Sequence, residues 1–141
     1  MKKKVKRLNK KKDFEIRFYE ELVKDNPGFI QAWMCLGDAY TKKGFFEEGL
    51  KVDLHLSKVK PKDPIVYYNL ACSYSLLGNI PQALRALKKA IVLGYNDFSY
   101  LKKDKDLENL RKDRRFWEFM DKINKRLLKG VNLSKVKEDV F

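Results

Sequence analysis

Ile30-Gln31-Ala32-Trp33-Met34-Cys35-Leu36-Gly37-Asp38-Ala39-Tyr40-Thr41-Lys42-Lys43-Gly44 carries large apolar residues at a helical interval. Trp33, Leu36, Gly37 and Tyr40 stand at i, i+3, i+4 and i+7, which is one face of a helix. Starting 34 residues later, Pro64-Ile65-Val66-Tyr67-Tyr68-Asn69-Leu70-Ala71-Cys72-Ser73-Tyr74 repeats the pattern. Trp33 aligns with Tyr67, Leu36 with Leu70, Gly37 with Ala71 and Tyr40 with Tyr74. A small residue at Gly37 and Ala71 lets a second helix approach closely while the aromatics pack around the gap.

The same offset continues outward. Gly44 and Gly78 follow each first helix, where a left-handed residue can end it and turn the chain. Gly49 and Ala83 are the small residues of each second helix, beside Leu50 and Leu84. Pro61 closes the second helix of the first unit, because proline cannot continue it. Pro27 lies one period before Pro61, so residues 13–26 read as an unpaired leading helix with Phe14, Phe18, Leu22 and Tyr19 as its apolar stripe. The expected helices run near 13–26, 30–43, 46–60, 64–77, 81–93, 105–111 and 113–129.

Trp33, Leu36, Gly37, Tyr40, Gly44 and Pro61, with Tyr67, Leu70, Ala71, Tyr74, Gly78, Ala83 and Ala90, resemble the tetratricopeptide repeat family. The resemblance implies an all-α fold, a short right-handed superhelical stack of helix-turn-helix hairpins with helical caps. On that reading 1–12 is a basic arm and 13–97 the repeat region. A partial unit spans 13–29 and full units span 30–63 and 64–97. Residues 98–130 are a C-terminal helical cap, and 131–141 a flexible tail. Asp106, Leu107, Leu110, Arg111 and Phe116 are similar to a terminal segment that follows such repeats in bacteria. Phe116, Phe119, Ile123 and Leu127 form the stripe of its last helix. Asp53 and Leu56 depart from the family, which usually has an aromatic and an alanine there, so the second helix of the first unit is expected to be rotated or displaced.

The net charge of +13 is unevenly placed. Residues 1–12 hold eight basic and no acidic residues, residues 13–100 balance eleven against eleven, and residues 101–130 hold eleven against six. The body is therefore neutral and the excess sits at the ends, which does not fit a domain built as one basic surface. No apolar run follows the basic start to make a secretory signal, and none approaches the ~20 residues of a membrane span. With Cys35 and Cys72 read as free packing residues, the expected compartment is the cytoplasm.

No catalytic, cofactor or metal constellation is visible, so no enzymatic role is expected. His55 has no partner motif and reads as solvent-facing, while Glu20-Glu21 and Glu47-Glu48 read as solvated helix surface. The family resemblance implies instead a concave groove, lined by the first helices, that takes a peptide or partner helix. Its residues would be Gln31, Met34, Asp38 and Thr41, then Ile65, Tyr68, Cys72 and Leu76, with Asn69. A contiguous apolar patch there suits a hydrophobic or amphipathic ligand. The family's carboxylate clamp for chaperone C-termini is not expected: Met34 and Asp38 replace its Lys and Asn, Asn69 matches, and Lys103 is a conservative substitute. The alternative function is binding of nucleic acid or an anionic membrane through the arm, by Lys2, Lys3, Lys4, Lys6, Arg7, Lys10, Lys11 and Lys12. Self-association as a homo-oligomer through the groove is a third reading.

Overall fold

The computed structural model describes residues 14–137. They form eight α-helices: α1 Phe14–Asp25, α2 Ile30–Lys42, α3 Phe46–Val59, α4 Pro64–Leu76, α5 Ile80–Val92, α6 Phe98–Leu101, α7 Glu108–Arg111 and α8 Arg114–Leu128. Short 3₁₀ turns span Lys105–Leu107 and Leu133–Lys135, and there is no strand among the described residues. The fold is all-α. No described helix is long and apolar enough to cross a membrane.

Local chemistry sets the helix ends. Asp63 caps α4, its side chain accepting from Ile65 N at 2.9 Å, and Pro64 opens the helix where an amide hydrogen would be unsatisfied anyway. Asn79 and Pro81 start α5 in the same way. At the far ends, Gly44 (φ 84°) and Gly78 (φ 76°) adopt the left-handed conformation. The next amide in each case reaches back into the helix: Phe45 N to Tyr40 O and Asn79 N to Tyr74 O, both 2.9 Å. These are matching Schellman-type endings.

The chain divides between Leu56 and Ser57 into two compact units. In the first, α1 packs on α2. The face of α1 that is buried runs through Ile16 and Val23, with Tyr19 and Glu20 half-buried between them. The aromatic stripe expected from the sequence is rotated outward, with Phe14 77% and Phe18 50% exposed. The reason is Glu20, which accepts a hydrogen bond from Tyr40 Oη of α2 and so turns its own face inward. Trp33 is half-buried and its indole donates to Pro27 O at 2.8 Å. Where α2 meets α3, a methyl on Gly37 would lie 3.1 Å from Val52 Cγ1 and 3.4 Å from Asp53 Oδ1. Asp53 is itself buried, so a carboxylate occupies the place of the expected aromatic.

The second unit centres on the α4–α5 hairpin. Val66, Ala71, Ala83, Leu87, Ala90 and Ile91 are almost wholly buried. The Lys105–Leu107 turn and α7 pack on α4, and α7 also touches α5 and α8. Leu107, Leu110 and Phe116 are fully buried. On α8 the buried stripe is Phe116, Phe119, Met120 and Ile123, while Leu127 is 42% exposed, contrary to expectation. Within the segment expected to be a flexible tail, Leu133 buries its side chain and the Leu133–Lys135 turn packs on α5.

Candidate functional site

A cleft of about 400 Å³ lies beside a first helix in the second unit. Its walls come from the first turn of α4 (Pro64, Ile65, Tyr68), the loop before α6 (Gly94, Tyr95, Asn96, Asp97) and Tyr100 of α6. Gly94 permits that loop: with φ 118° it turns the chain off α5 in a conformation L side chains avoid. Asp97 then caps α6, its Oδ1 accepting from Tyr100 N at 3.1 Å.

Three phenol rings shape the interior. Tyr68 and Tyr95 stack nearly parallel with centroids 4.2 Å apart, and Tyr100 lies 6.3 Å from Tyr68 at 42°. Tyr68 is held by Asp104, whose Oδ2 accepts from its phenol at 2.5 Å. The Cys72 thiol points to the same oxygen at 3.9 Å, and Asp104 Oδ1 accepts from Asp106 N at 3.0 Å. The Arg111 guanidinium donates to Leu101 O at 3.1 Å and to Asp104 O, which fixes the segment from behind. Burial raises the Tyr68 phenol pKa most, with the Cys72 thiol and Asp104 adding to it. Burial also pushes Tyr95 up to about 12. On Tyr100 the Asp104 charge is the largest cause of an upward shift, ahead of burial.

The residues expected to line a groove are distributed as follows. In the first unit Gln31 and Asp38 are exposed, Met34 and Thr41 half-buried, and Asp38 pairs with Lys42 at 2.9 Å. In the second unit Ile65 is 45% exposed, and Asn69 and Leu76 are half-buried. Tyr68 and Cys72 are buried at 5% and 6% exposure, which differs from the open apolar strip that their spacing suggests. The segment around Asp104 covers them, and Tyr68 reaches the cleft only as a wall. The arm residues Lys2, Lys3, Lys4, Lys6, Arg7, Lys10, Lys11 and Lys12 lie outside the described residues.

His55 is not the solvent-facing residue expected. Its ring lies 4.4 Å from Trp33, and its Nε2 is buried without a hydrogen-bond partner among the described residues. Glu20 is likewise engaged, by Tyr40, rather than merely solvated. Cys35 and Cys72 are free thiols. No group of His, Cys, Asp and Glu among the described residues is arranged to hold a metal ion.

Tyr95, Asp97, Tyr100 and Asp104 lie outside the positions to which the repeat spacing points. Asp97 before Phe98, and Asp104 before Lys105-Asp106, are turn and cap signals that could have marked the loop. Nothing local reveals that Asp104 meets Tyr68, 36 residues away.

Over 104 residues the chain is 32% identical to a chloroplastic protein of Arabidopsis thaliana, a match that covers 72% of the chain and 31% of that protein. The chain thus spans about a third of the length of this curated relative. No family model matches the chain. No solved structure matches it significantly.

Proposed function

We propose that this chain is a tetratricopeptide-type repeat protein that binds another protein at the start of α4, the first helix of its second full unit. The carrying observation is the cleft at the start of α4, where exposed Ile65 and Tyr100 flank an aromatic-walled space of about 400 Å³. A few rigid aromatics beside an open apolar rim are the usual anchor of a recognition site. The repeat reading draws support from helices α2 and α4, which begin 34 residues apart and end on the same left-handed glycine. The small-residue faces at Gly37 and Ala71 are both buried, as a close-packed helical hairpin requires.

The test is affinity capture with the wild type, with Ile65→Glu and with a chain lacking residues 2–12. Ile65 is exposed, so the glutamate leaves the helix intact. The expected outcome is that Ile65→Glu loses specific protein partners while the shortened chain keeps them. Identical partner sets from wild type and Ile65→Glu would remove this reading. Loss of all binding on deleting the arm, restored by no repeat-face residue, would transfer the function to the basic end.

A further inference from the structure

The cleft at the start of α4 has a charge character opposite to that of the chain. The protein carries 32 lysines and arginines against 19 acids, yet none of the residues that wall the cleft is basic. Its one charged wall residue is Asp97, and Asp104 stands behind Tyr68. The field reaches the rings: Asp104, Asp106 and Asp97 each raise the Tyr100 phenol pKa, and Asp97 and Asp104 act in the same sense on Tyr95.

The geometry separates the rings by role. Tyr95 stacks on Tyr68 and occupies one of its faces. Tyr100 is tilted away from that stack and 46% exposed, so its ring remains accessible. Asp97 commits Oδ1 to the α6 cap, which leaves Oδ2 for a ligand. A planar cation can stack on a phenol face within ~6 Å of its centroid, and an adjacent carboxylate adds a charge-assisted hydrogen bond.

We infer that the cleft takes an arginine side chain of an extended peptide, its stem along Ile65, its guanidinium over Tyr100 and one N–H on Asp97. The inference rests on the protein-binding reading and names the residue that such a partner would present. Arginine suits the site better than lysine, because a flat guanidinium can stack on the ring and reach the carboxylate together.

The experiment titrates the full-length, isotope-labelled chain with acetyl-Gly-Arg-Gly-amide and follows backbone amides by NMR. Matching peptides with leucine or glutamate in place of arginine serve as controls. The expected result is saturable shifts at Ile65 and Tyr100 with the arginine peptide, with a Kd on the order of millimolar for one side chain. Asp97→Asn keeps the cap, since asparagine accepts as aspartate does, and should weaken binding about three- to tenfold. Tyr100→Leu should weaken it comparably, and Tyr100→Phe should retain it. Equal shifts with the leucine peptide, or none with arginine up to ~10 mM, would overturn the inference. So would unchanged affinity in a folded Asp97→Asn chain. Partner capture lost in Ile65→Glu but retained in Asp97→Asn would sink the arginine assignment while leaving the protein-binding reading in place.

Discussion

Helices α2 and α4 share a register, a length and a C-terminal turn, yet their outer faces have opposite fates. At equivalent positions α2 carries Met34, Asp38 and Thr41, and α4 carries Tyr68, Cys72 and Ser75. Asp38 is exposed and pairs with its neighbour Lys42. Cys72 and Ser75 are buried, and the following chain is fastened over them. Leu110 N donates to Ser75 Oγ at 3.1 Å and Asn109 to Ser75 O at 2.9 Å. The repeated inner pattern sets which helices pair. The residues between the repeat positions decide whether later chain can settle on the outer face. A small, weakly polar side chain permits it, and a charged one forbids it, because covering a carboxylate without a partner is costly.

Exchange of those residues is the severest test. Cys72→Asp would bring a second carboxylate against Asp104 in a closed space, and should cost roughly 3–5 kcal/mol in denaturant unfolding. The reciprocal Asp38→Cys removes only an exposed pair and should change stability by less than about 0.5 kcal/mol. Equal costs would erase the distinction between the two faces.

Alkali should act through the same covered face. Tyr68 and Tyr95 hold their protons beyond the ordinary tyrosine range, Tyr95 to about 12, chiefly because they are buried. Below pH ~10 the folded and unfolded chains both keep these protons, so stability does not depend on them. Above it the unfolded chain releases them and the native chain does not. The native state then binds more protons, and stability falls as pH rises toward 12, by at most about 1.4 kcal/mol per pH unit for each phenol. Tyr40 of the first unit, raised by burial and by Glu20, adds to the decline. Unfolding followed from pH 9 to 12 should show it, and Tyr95→Phe should flatten the curve. An unchanged slope in that variant would mean Tyr95 is not protected.

How much of this was readable before the structure depends on the range of the interaction. Helix positions were legible because caps, glycines and apolar spacing are local: Asp63-Pro64 and Gly78 announce both ends of α4. The inner faces at Leu36, Gly37, Leu70 and Ala71 were legible for the same reason. The face of α1 is not legible in the same way, because large aromatics outweigh Ile16 and Val23 in the pattern, while the deciding contact, Tyr40 to Glu20, joins two helices. The cleft was half legible. Ile65 and Tyr68 came from repeat spacing, but Tyr95 and Asp97 close the second unit at positions the repeat pattern does not mark, and Tyr100 lies in the segment where the period breaks. Asp104 illustrates the limit most clearly, since its partners Tyr68 and Cys72 lie in another helix.

Asp104→Ala isolates that long-range contact. It leaves the Tyr68 phenol without its acceptor in a closed space and should cost about 1–3 kcal/mol. Tyr68→Phe tests the pair from the other side and should cost a similar amount, because the carboxylate then loses its donor. The double variant should cost less than the sum of the two, if they act on one interaction. Strict additivity in urea unfolding would show that the two groups stabilise the unit independently.

The finest distinction between the repeats is a single methyl. Ala71 is fully buried, and Ala71→Gly should cost about 1 kcal/mol from helix propensity, plus the lost packing of one carbon. Gly37→Ala runs the change in reverse but starts from a different neighbour. The helix gains up to ~1 kcal/mol of propensity, while the new methyl presses on Val52 Cγ1 at 3.1 Å. Val52 is β-branched and buried, so it yields less readily than a flexible side chain would. The two effects should nearly cancel, leaving thermal stability within about 0.5 kcal/mol of wild type. A gain of a full kcal/mol would mean that α3 can retreat from α2 at no cost. A loss above about 2 kcal/mol would mean that Asp53, in its buried place, locks α3 against any retreat.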